Sequence, residues 1–171
     1  MKTNGQLFKL LFDNMLDGFA HCQAIYNSAG VMDDWKYELV NPAFGELTGL
    51  KNVTDKRVSE ILPDLYKTNR RLFEIYERVA RGGARERFEE YVLSLDIWFD
   101  VSVFSVDPNT FTAIFQNITE QRKHLRELEN ANNETITAWA NALKWHNGDT
   151  SDHTLRVTEL ALTFAEHIGI H

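Results

Sequence analysis

Side chains able to support catalysis or metal binding are few in this sequence and far apart. His153 lies in the first turn of an apolar helical pattern, with Asp149 four residues before it. A lone histidine at such a place is more often a surface or capping residue than a metal ligand. Two residues cannot supply the several ligands that hold a pair of metal ions and activate water. We therefore expect no tightly held metal and no hydrolytic activity in this chain.

The sequence lacks the common catalytic and phosphate-binding motifs, and its composition argues against several classes of binding partner. No Gly-rich phosphate loop, Ser-His-Asp pattern or zinc-type cysteine spacing occurs in the sequence. The net charge of −7 argues against binding to nucleic acid or to an anionic membrane surface. No apolar run approaches the roughly 20 residues that span a bilayer, and residues 1–16 do not form a signal peptide. The single cysteine, Cys22, excludes an internal disulfide. These features predict a cytoplasmic protein without a membrane segment or a nucleic-acid partner.

The periodicity of apolar residues predicts the elements that would position any site. Helical spacing predicts a short helix over residues 5–16 and a longer one over 63–81, with short helical pieces between 42 and 63. Alternating patterns predict five strands, at 19–27, 35–40, 85–93, 97–106 and 110–118. Short turns join the last three strands, so these three should form an antiparallel meander. The mixed-charge run at residues 85–90 predicts a solvated strand face with cross-strand ion pairs.

The composition changes after residue 118. Residues 119–146 contain no Pro or Gly and carry a weak heptad seam, formed by Leu125, Leu128, Asn132, Thr135, Trp139 and Ala142. This stretch is interpreted either as a solvated exit helix that docks on its own domain or as one helix of a parallel two-stranded coiled coil. We favour the coiled coil. A last helix, predicted over residues 152–168, has an apolar face that the rest of the chain cannot fully cover.

Two segments together resemble the PAS family of sensor domains. Residues 41–49, Asn-Pro-Ala-Phe-Gly-Glu-Leu-Thr-Gly, are similar to a segment of PAS domains in which Asn-Pro opens a short helix. Residues 115–122, Phe-Gln-Asn-Ile-Thr-Glu-Gln-Arg, are similar to the end of such a domain, with Asn117 where the family usually has aspartate. The resemblance covers residues 7 to about 120. It implies an α+β fold, in which short helices cover one face of a five-stranded antiparallel sheet, with a small cavity between them and a long C-terminal helical extension.

A second, partial resemblance covers about residues 134–171. Residues 134–143 and 149–157 are similar to the opening of HD-GYP domains, which are metal-dependent cyclic di-GMP phosphodiesterases. On this resemblance His153 matches an early metal ligand and Asp149 a position where an acidic ligand sometimes lies, but only a complete output domain would use them. The two resemblances imply four segments: a cap helix at 1–18, a PAS sensor domain at 19–118, a signalling helix at 119–146 and the start of an output domain at 147–171.

Haem and flavin are both disfavoured as cofactors of a PAS domain with this sequence. An axial histidine for haem is absent from residues 64–81, and Cys22 lies on a strand rather than on the helix that carries a photoactive flavin cysteine. No covalently bound group is expected. A small organic ligand remains possible, and the same apolar residues could equally form a filled core. The candidate lining residues are Leu39, Phe44, Leu47, Leu72, Ile75, Tyr76, Phe88, Phe99, Val101 and Phe115, with Gln116 and Arg87 as polar candidates.

The sequence thus predicts a regulatory sensor module that forms a homodimer and controls its own C-terminal output domain. Asn117, Ile118 and Thr119 are the expected signalling residues, because they join the last strand to the exit helix. A ligand that prefers one packing of the sheet would shift the paired helices. The alternative is a dimerisation domain with a filled core and no ligand.

Overall fold

The computed structural model describes residues 3–146 and 151–167 of the chain. Two compact units are present, residues 1–122 and 123–171. The first unit holds the sheet, its helices and the first turn of α6. The elements in chain order are α1 (Asn4–Asn14), β1 (Gly18–Tyr26), β2 (Met32–Val40), α2 (Pro42–Thr48), α3 (Val58–Ile61), α4 (Leu65–Thr68), α5 (Arg70–Ala80), β3 (Glu86–Val92), β4 (Ile97–Phe104), β5 (Thr110–Asn117), α6 (Thr119–His146) and α7 (Ser151–His167).

The five strands form one antiparallel sheet in the order β2-β1-β5-β4-β3. The predicted α+β fold class, with its five-stranded antiparallel sheet, is confirmed, and β3, β4 and β5 form the predicted meander. β5, the last strand of the sequence, is the central strand of the sheet. The helix that follows β5 therefore begins from the middle of the sheet.

Strand alternation places one row of side chains in the core. Ala20, Cys22 and Ala24 of β1 are buried, as are Val101 and Val103 of β4. Helix α5 covers this face with its apolar stripe, since Leu72, Phe73, Ile75, Tyr76 and Val79 are all buried at helical spacing.

Asn41 fixes the connection between β2 and α2. It is 3% exposed and caps α2, because its Oδ1 accepts hydrogen bonds from the backbone N–H of Phe44 at 3.0 Å and of Phe19 at 2.9 Å. Its Nδ2 donates to the carbonyl oxygen of Asp17 at 2.9 Å. Gly49 ends α2 with φ of 74°, a left-handed conformation that glycine adopts without strain. The Asn-Pro segment therefore opens the helix as predicted and also holds the start of β1.

The single helix predicted over residues 63–81 is wrong, because the structure has two helices separated at Asn69. Asn69 is buried with φ of −128° and ψ of 49°, outside the helical region. Its side chain reaches across to β3, where Nδ2 donates to the carbonyl oxygen of Tyr91 at 2.6 Å and to Oε1 of Glu90 at 3.0 Å. These tertiary hydrogen bonds outweigh the helical propensity of the neighbouring residues. β2 also begins earlier than predicted, at Met32, which is 1% exposed.

Helix α1 packs on the sheet face opposite the core. Phe12 makes an edge-to-face contact with Phe19, with ring centroids 5.2 Å apart, and Phe19 alternates with the core residues of β1. Several large apolar side chains of this segment stay exposed, namely Leu7, Phe8, Leu10, Leu11 and Leu16.

Helix α6 has 28 residues, and its described side chains beyond the first turn are exposed. The apolar residues Leu125, Leu128, Ile136, Trp139 and Leu143 are between 47% and 71% exposed. None of the described helices combines the length and the apolar composition that spanning a bilayer requires.

Candidate functional site

A small cavity lies between the sheet and the helices of the first unit. Its volume is about 70 Å³. The wall is mainly apolar and aromatic, and is formed by Trp35, Tyr37, Phe44, Thr48, Leu50, Leu62, Leu65, Leu72, Tyr76, Glu90, Val92, Leu95, Phe99, Val101 and Phe115. Residues from both layers of the fold therefore converge on it, as the resemblance implies.

Six of the residues proposed from the sequence lie in this wall: Phe44, Leu72, Tyr76, Phe99, Val101 and Phe115. Ile75 and Phe88 are buried in the surrounding core and Leu47 packs against it, without lining the cavity. Leu39 is 41% exposed, because register shifts between β1 and β2 turn this end of β2 away from the core.

The two polar residues considered for the cavity lie elsewhere. Gln116 is exposed and its Nε2 donates to Oδ1 of Asp17 at 2.8 Å. Arg87 is on the outer face, where its guanidinium pairs with Asp100, and this hydrogen-bonded pair lowers the pKa of Asp100. The predicted cross-strand charge pairing is therefore present for Arg87.

Glu90 departs from the predicted solvated strand face. Its side chain is 12% exposed and lines the cavity, while its neighbours Glu89 and Tyr91 alternate to the other face of β3. Oε1 accepts the hydrogen bond from Asn69, and Oε2 lies 3.7 Å from Nη1 of Arg71. Sequence reasoning missed Glu90, although strand alternation would have put Phe88, Glu90 and Val92 on one face.

Burial sets the protonation state of the groups near the cavity. It raises the pKa of the Tyr37 and Tyr76 phenols, so both stay neutral at physiological pH. Burial also raises the pKa of the Cys22 thiol, which is 1% exposed and therefore a poor nucleophile.

The junction of β5 with α6 is held by backbone and side-chain hydrogen bonds to Trp98 of β4. The N–H of Ile118 donates to the Trp98 carbonyl oxygen at 2.9 Å, and the Trp98 N–H donates to Oγ1 of Thr119 at 3.0 Å. Oδ1 of Asn117 accepts from the Thr119 N–H at 3.0 Å, so asparagine keeps the capping function at this position. The three expected signalling residues therefore lie together and fix where α6 begins.

Arg122 adds a second attachment in the first turn of α6. Its guanidinium lies 4.6 Å from the centroid of the Trp98 ring and forms an ion pair with Glu89 of β3. The Trp98 ring in turn packs on Tyr91, with centroids 5.4 Å apart. Glu89 on the edge strand thus supplies the acidic partner of Arg122.

The cavity and the junction meet on β3. Glu90 faces the cavity, and the residues on either side of it, Glu89 and Tyr91, contact Arg122 and Trp98 on the opposite face. A displacement of this strand would act on the cavity wall and on the first turn of α6 together.

The predicted metal residues, Asp149 and His153, belong to the C-terminal part of the chain. Asp149 is outside the described residues, and of His153 only the helical backbone in α7 is described. Within residues 3–146 and 151–167, no group of three or more His, Cys, Asp or Glu side chains is arranged to hold a metal ion.

Comparison with solved structures finds several similar domains. A domain of an HTR-like protein from Haloarcula marismortui has 17% identity and a TM-score of 0.46, over 61% of this chain and 100% of that one. A domain of a sensory box sensor histidine kinase/response regulator from Geobacter sulfurreducens has 18% identity and a TM-score of 0.42, over 66% and 92%. The PAS domain of Bordetella pertussis BvgS has 14% identity and a TM-score of 0.38, over 77% and 99%. At these values we draw no functional conclusion from the likenesses.

The family comparison is more direct. No curated protein matches the chain significantly. Residues 6–81 match the family model described as PAS domain, and this range includes the Asn41–Gly49 segment and most of the helices that cover the cavity. Residues 6–81, which make up most of the first unit, therefore match the PAS domain family.

Proposed function

We propose that this chain is a dimeric PAS sensor that controls a C-terminal output domain through α6. The observation that carries the proposal is the attachment of the first turn of α6 to Trp98 of β4 and Glu89 of β3. A ligand that favours one packing of the sheet would change the position of these two strands. The crossing or register of paired α6 helices would then shift.

Exposed apolar surface supports pairing of two copies. Leu125, Leu128 and Trp139 lie on the predicted heptad seam of α6 and are 58%, 63% and 71% exposed. A row of large exposed apolar side chains at this spacing is typical of a helix that packs against a partner. Asn132 and Thr135 on the same seam would weaken the pairing but fix its register.

For the output domain we propose a cyclic di-GMP phosphodiesterase of the HD-GYP type. The support is the sequence similarity of residues 134–143 and 149–157, in which Asp149 and His153 match metal-ligand positions. A complete domain of this type would supply the remaining ligands. The PAS domain would thus regulate hydrolysis without taking part in it.

A dimerisation domain without a ligand is the second candidate. The cavity volume of about 70 Å³ favours it, because pockets for drug-sized ligands are about 300–1,000 Å³. The two candidates share the paired α6 helices and differ in whether the cavity is occupied.

Cysteine cross-linking tests the pairing of α6. In a parallel coiled coil, Leu128→Cys places two thiols across the seam within reach of a disulfide, whereas Glu127→Cys places them on the outer face. We expect oxidation of L128C to yield a covalent dimer. The fraction of covalent dimer should be at least about fivefold smaller for E127C. The native Cys22 does not interfere, because it is 1% exposed.

Positions 127 and 128 are both exposed, so the oxidant reaches either cysteine equally and a difference in cross-linking reports the geometry of pairing. Equal cross-linking at the two positions, or none at either, would contradict parallel pairing along the proposed seam. Native mass spectrometry of the unmodified chain measures the oligomeric state independently.

A further inference from the structure

We propose that the cavity binds a small organic cation, of the size of a short alkylammonium ion, between Glu90 and a chain of aromatic rings. This inference rests on the proposed sensor function and adds the chemical class of its ligand. The evidence is the composition of the cavity wall, the free capacity of the Glu90 carboxylate and the volume of the cavity.

Six aromatic rings follow one another along the wall. Successive ring centroids are 5.5, 6.2, 5.4, 5.8 and 5.1 Å apart in the order Tyr76, Trp35, Tyr37, Phe44, Phe115 and Phe99. The interplanar angles are 69–80°. Neighbouring rings therefore present a mixture of faces and edges, and the negative face of an aromatic ring attracts a cation.

Glu90 gives this wall a negative charge. It is the only acidic residue among the described cavity-lining residues, and none of them is Lys, Arg or His. Oε1 already accepts from Asn69, and Oε2 forms an ion pair with Arg71 at 3.7 Å, a separation longer than a hydrogen bond. Arg71 is itself 66% exposed, so solvent screens its charge. Oε2 is thus able to accept a hydrogen bond from an ammonium group.

The other polar groups of the wall do not favour an anion. The Thr48 hydroxyl donates to the Phe44 carbonyl oxygen at 2.6 Å and accepts from the Leu50 N–H at 3.1 Å, so it is occupied. The Tyr37 and Tyr76 phenols are buried and neutral. A carboxylate or phosphate ligand would face the Glu90 carboxylate, and the nearby cation, Arg71, lies outside the wall and is 66% exposed, so it would offset little of the repulsion.

The volume limits the ligand to a few atoms. An apolar cavity of about 150 Å³ accommodates benzene, with six heavy atoms. The cavity here, at about 70 Å³, has about half that volume and suits roughly three to four heavy atoms. Methylated ammonium ions meet this limit and present both an N–H group and methyl groups to the aromatic wall.

Three probes with four heavy atoms each separate charge from size: trimethylammonium, neutral acetone and anionic acetate. Each is titrated into the full 171-residue chain at neutral pH, and binding is followed by the amide chemical shifts of wall residues. We expect trimethylammonium to bind at least about tenfold more tightly than acetone, and acetate not to bind. Equal affinity for acetone and trimethylammonium, tighter binding of acetate, or no binding by any probe would overturn the inference.

The Glu90→Gln variant tests the carboxylate directly. Glutamine keeps the shape and the acceptor for Asn69, so the fold should persist. Its affinity for trimethylammonium should fall at least about tenfold while any binding of acetone stays unchanged. Glu74→Gln removes an exposed carboxylate on α5 that pairs with Arg70, outside the cavity wall, and should leave both affinities unchanged. If the affinity for trimethylammonium does not respond to E90Q, the assignment of Glu90 is wrong.

The outcome can be separated from the proposed function. Cross-linking along the α6 seam tests the dimeric sensor without any ligand. If L128C cross-links as expected and trimethylammonium does not bind, only the ligand class is refuted.

Discussion

Replacement of Asn41 by alanine is expected to lower the free energy of unfolding by about 2–4 kcal/mol. Asn41 is 3% exposed and its side chain makes three hydrogen bonds, with Phe19, Phe44 and Asp17. Alanine would remove the cap of α2. It would also leave the Phe19 N–H and the Asp17 carbonyl oxygen without their side-chain hydrogen-bond partner. Urea denaturation followed by circular dichroism measures the change.

The matched control is Asn27→Ala. Asn27 also accepts two backbone hydrogen bonds through Oδ1, from Ala29 and Val31, but it lies in an exposed turn. Water replaces the lost side chain there, so the cost should stay below about 1 kcal/mol. A similar loss in both variants would mean that Asn41 contributes no more than an ordinary turn residue, and would contradict its place at the centre of the β2–α2 connection.

Thr119→Val is expected to accelerate amide hydrogen exchange at Ile118 and Arg122 by about 5–150-fold, because the loss of the Trp98–Thr119 hydrogen bond costs about 1–3 kcal/mol of local stability. Valine keeps the size and branching of threonine but leaves the Trp98 N–H without an acceptor. The first turn of α6 would then separate from β4 more often. In a protein that carries the proposed output domain after α6, the same variant should uncouple the proposed sensor from that output.

Thr137→Val provides the comparison on the same helix. The Thr137 hydroxyl bonds only the carbonyl oxygen of Asn133 within α6, at 2.7 Å, and the side chain is exposed. Its replacement should leave exchange at Ile118 and Arg122 unchanged. Exchange at Val103, which is 0% exposed, is expected to report global unfolding. It should be unchanged in T137V, and in T119V it should accelerate by no more than the loss of the same hydrogen bond allows. If the amides of Ile118 and Arg122 exchange at the same rate in T119V as in the parent protein, the Trp98–Thr119 hydrogen bond does not stabilise the first turn of α6.

Local patterns in the sequence predict much of this fold. The Asn41-Pro42 step specifies a capped helix after a strand, and alternation in β4 separates Phe99, Val101 and Val103 from the outer face. Hairpin turns are short enough to specify the meander. In these cases the interaction that decides the structure lies within a few residues along the chain.

Features decided by distant residues escaped prediction. Asn69 interrupts an otherwise helical stretch because its side chain bonds β3, which is 21 residues away in sequence at Glu90. Leu39 is exposed because a register shift in the β1–β2 pair reorients the end of β2. No local pattern signals either event. Glu90 is different. The alternation of side chains along β3 places it on the same face as the buried Phe88 and Val92, and only its charge favoured the solvent-exposed face.

The central position of β5 could not be derived from the meander alone. Hairpins order β3, β4 and β5, but the pairing of β1 with β5 is a long-range contact, such as that of Ala20 with Ala113. The contacts of α6 follow instead from the meander: Phe99 pairs with Asn117, which places Trp98 beside the start of α6, and the β3–β4 pair brings Glu89 within reach of Arg122. The route from cavity to helix therefore depends on the hairpins, whereas the central position of β5 depends on the long-range pairing with β1.

Amide exchange at Arg122 in an Asn69→Ala variant tests the central claim, that β3 couples the cavity side of the sheet to α6. Asn69 has no hydrogen bond to α6, but it anchors β3 at Glu90 and Tyr91. The coupling predicts that exchange at Arg122 becomes at least about fivefold faster in N69A than in the parent protein, because the opening of the first turn of α6 would also release the contacts of β3. Lys67→Ala, on the exposed side of α4, should leave this exchange unchanged. Exchange at Arg122 in N69A at the rate of the parent protein would contradict the coupling.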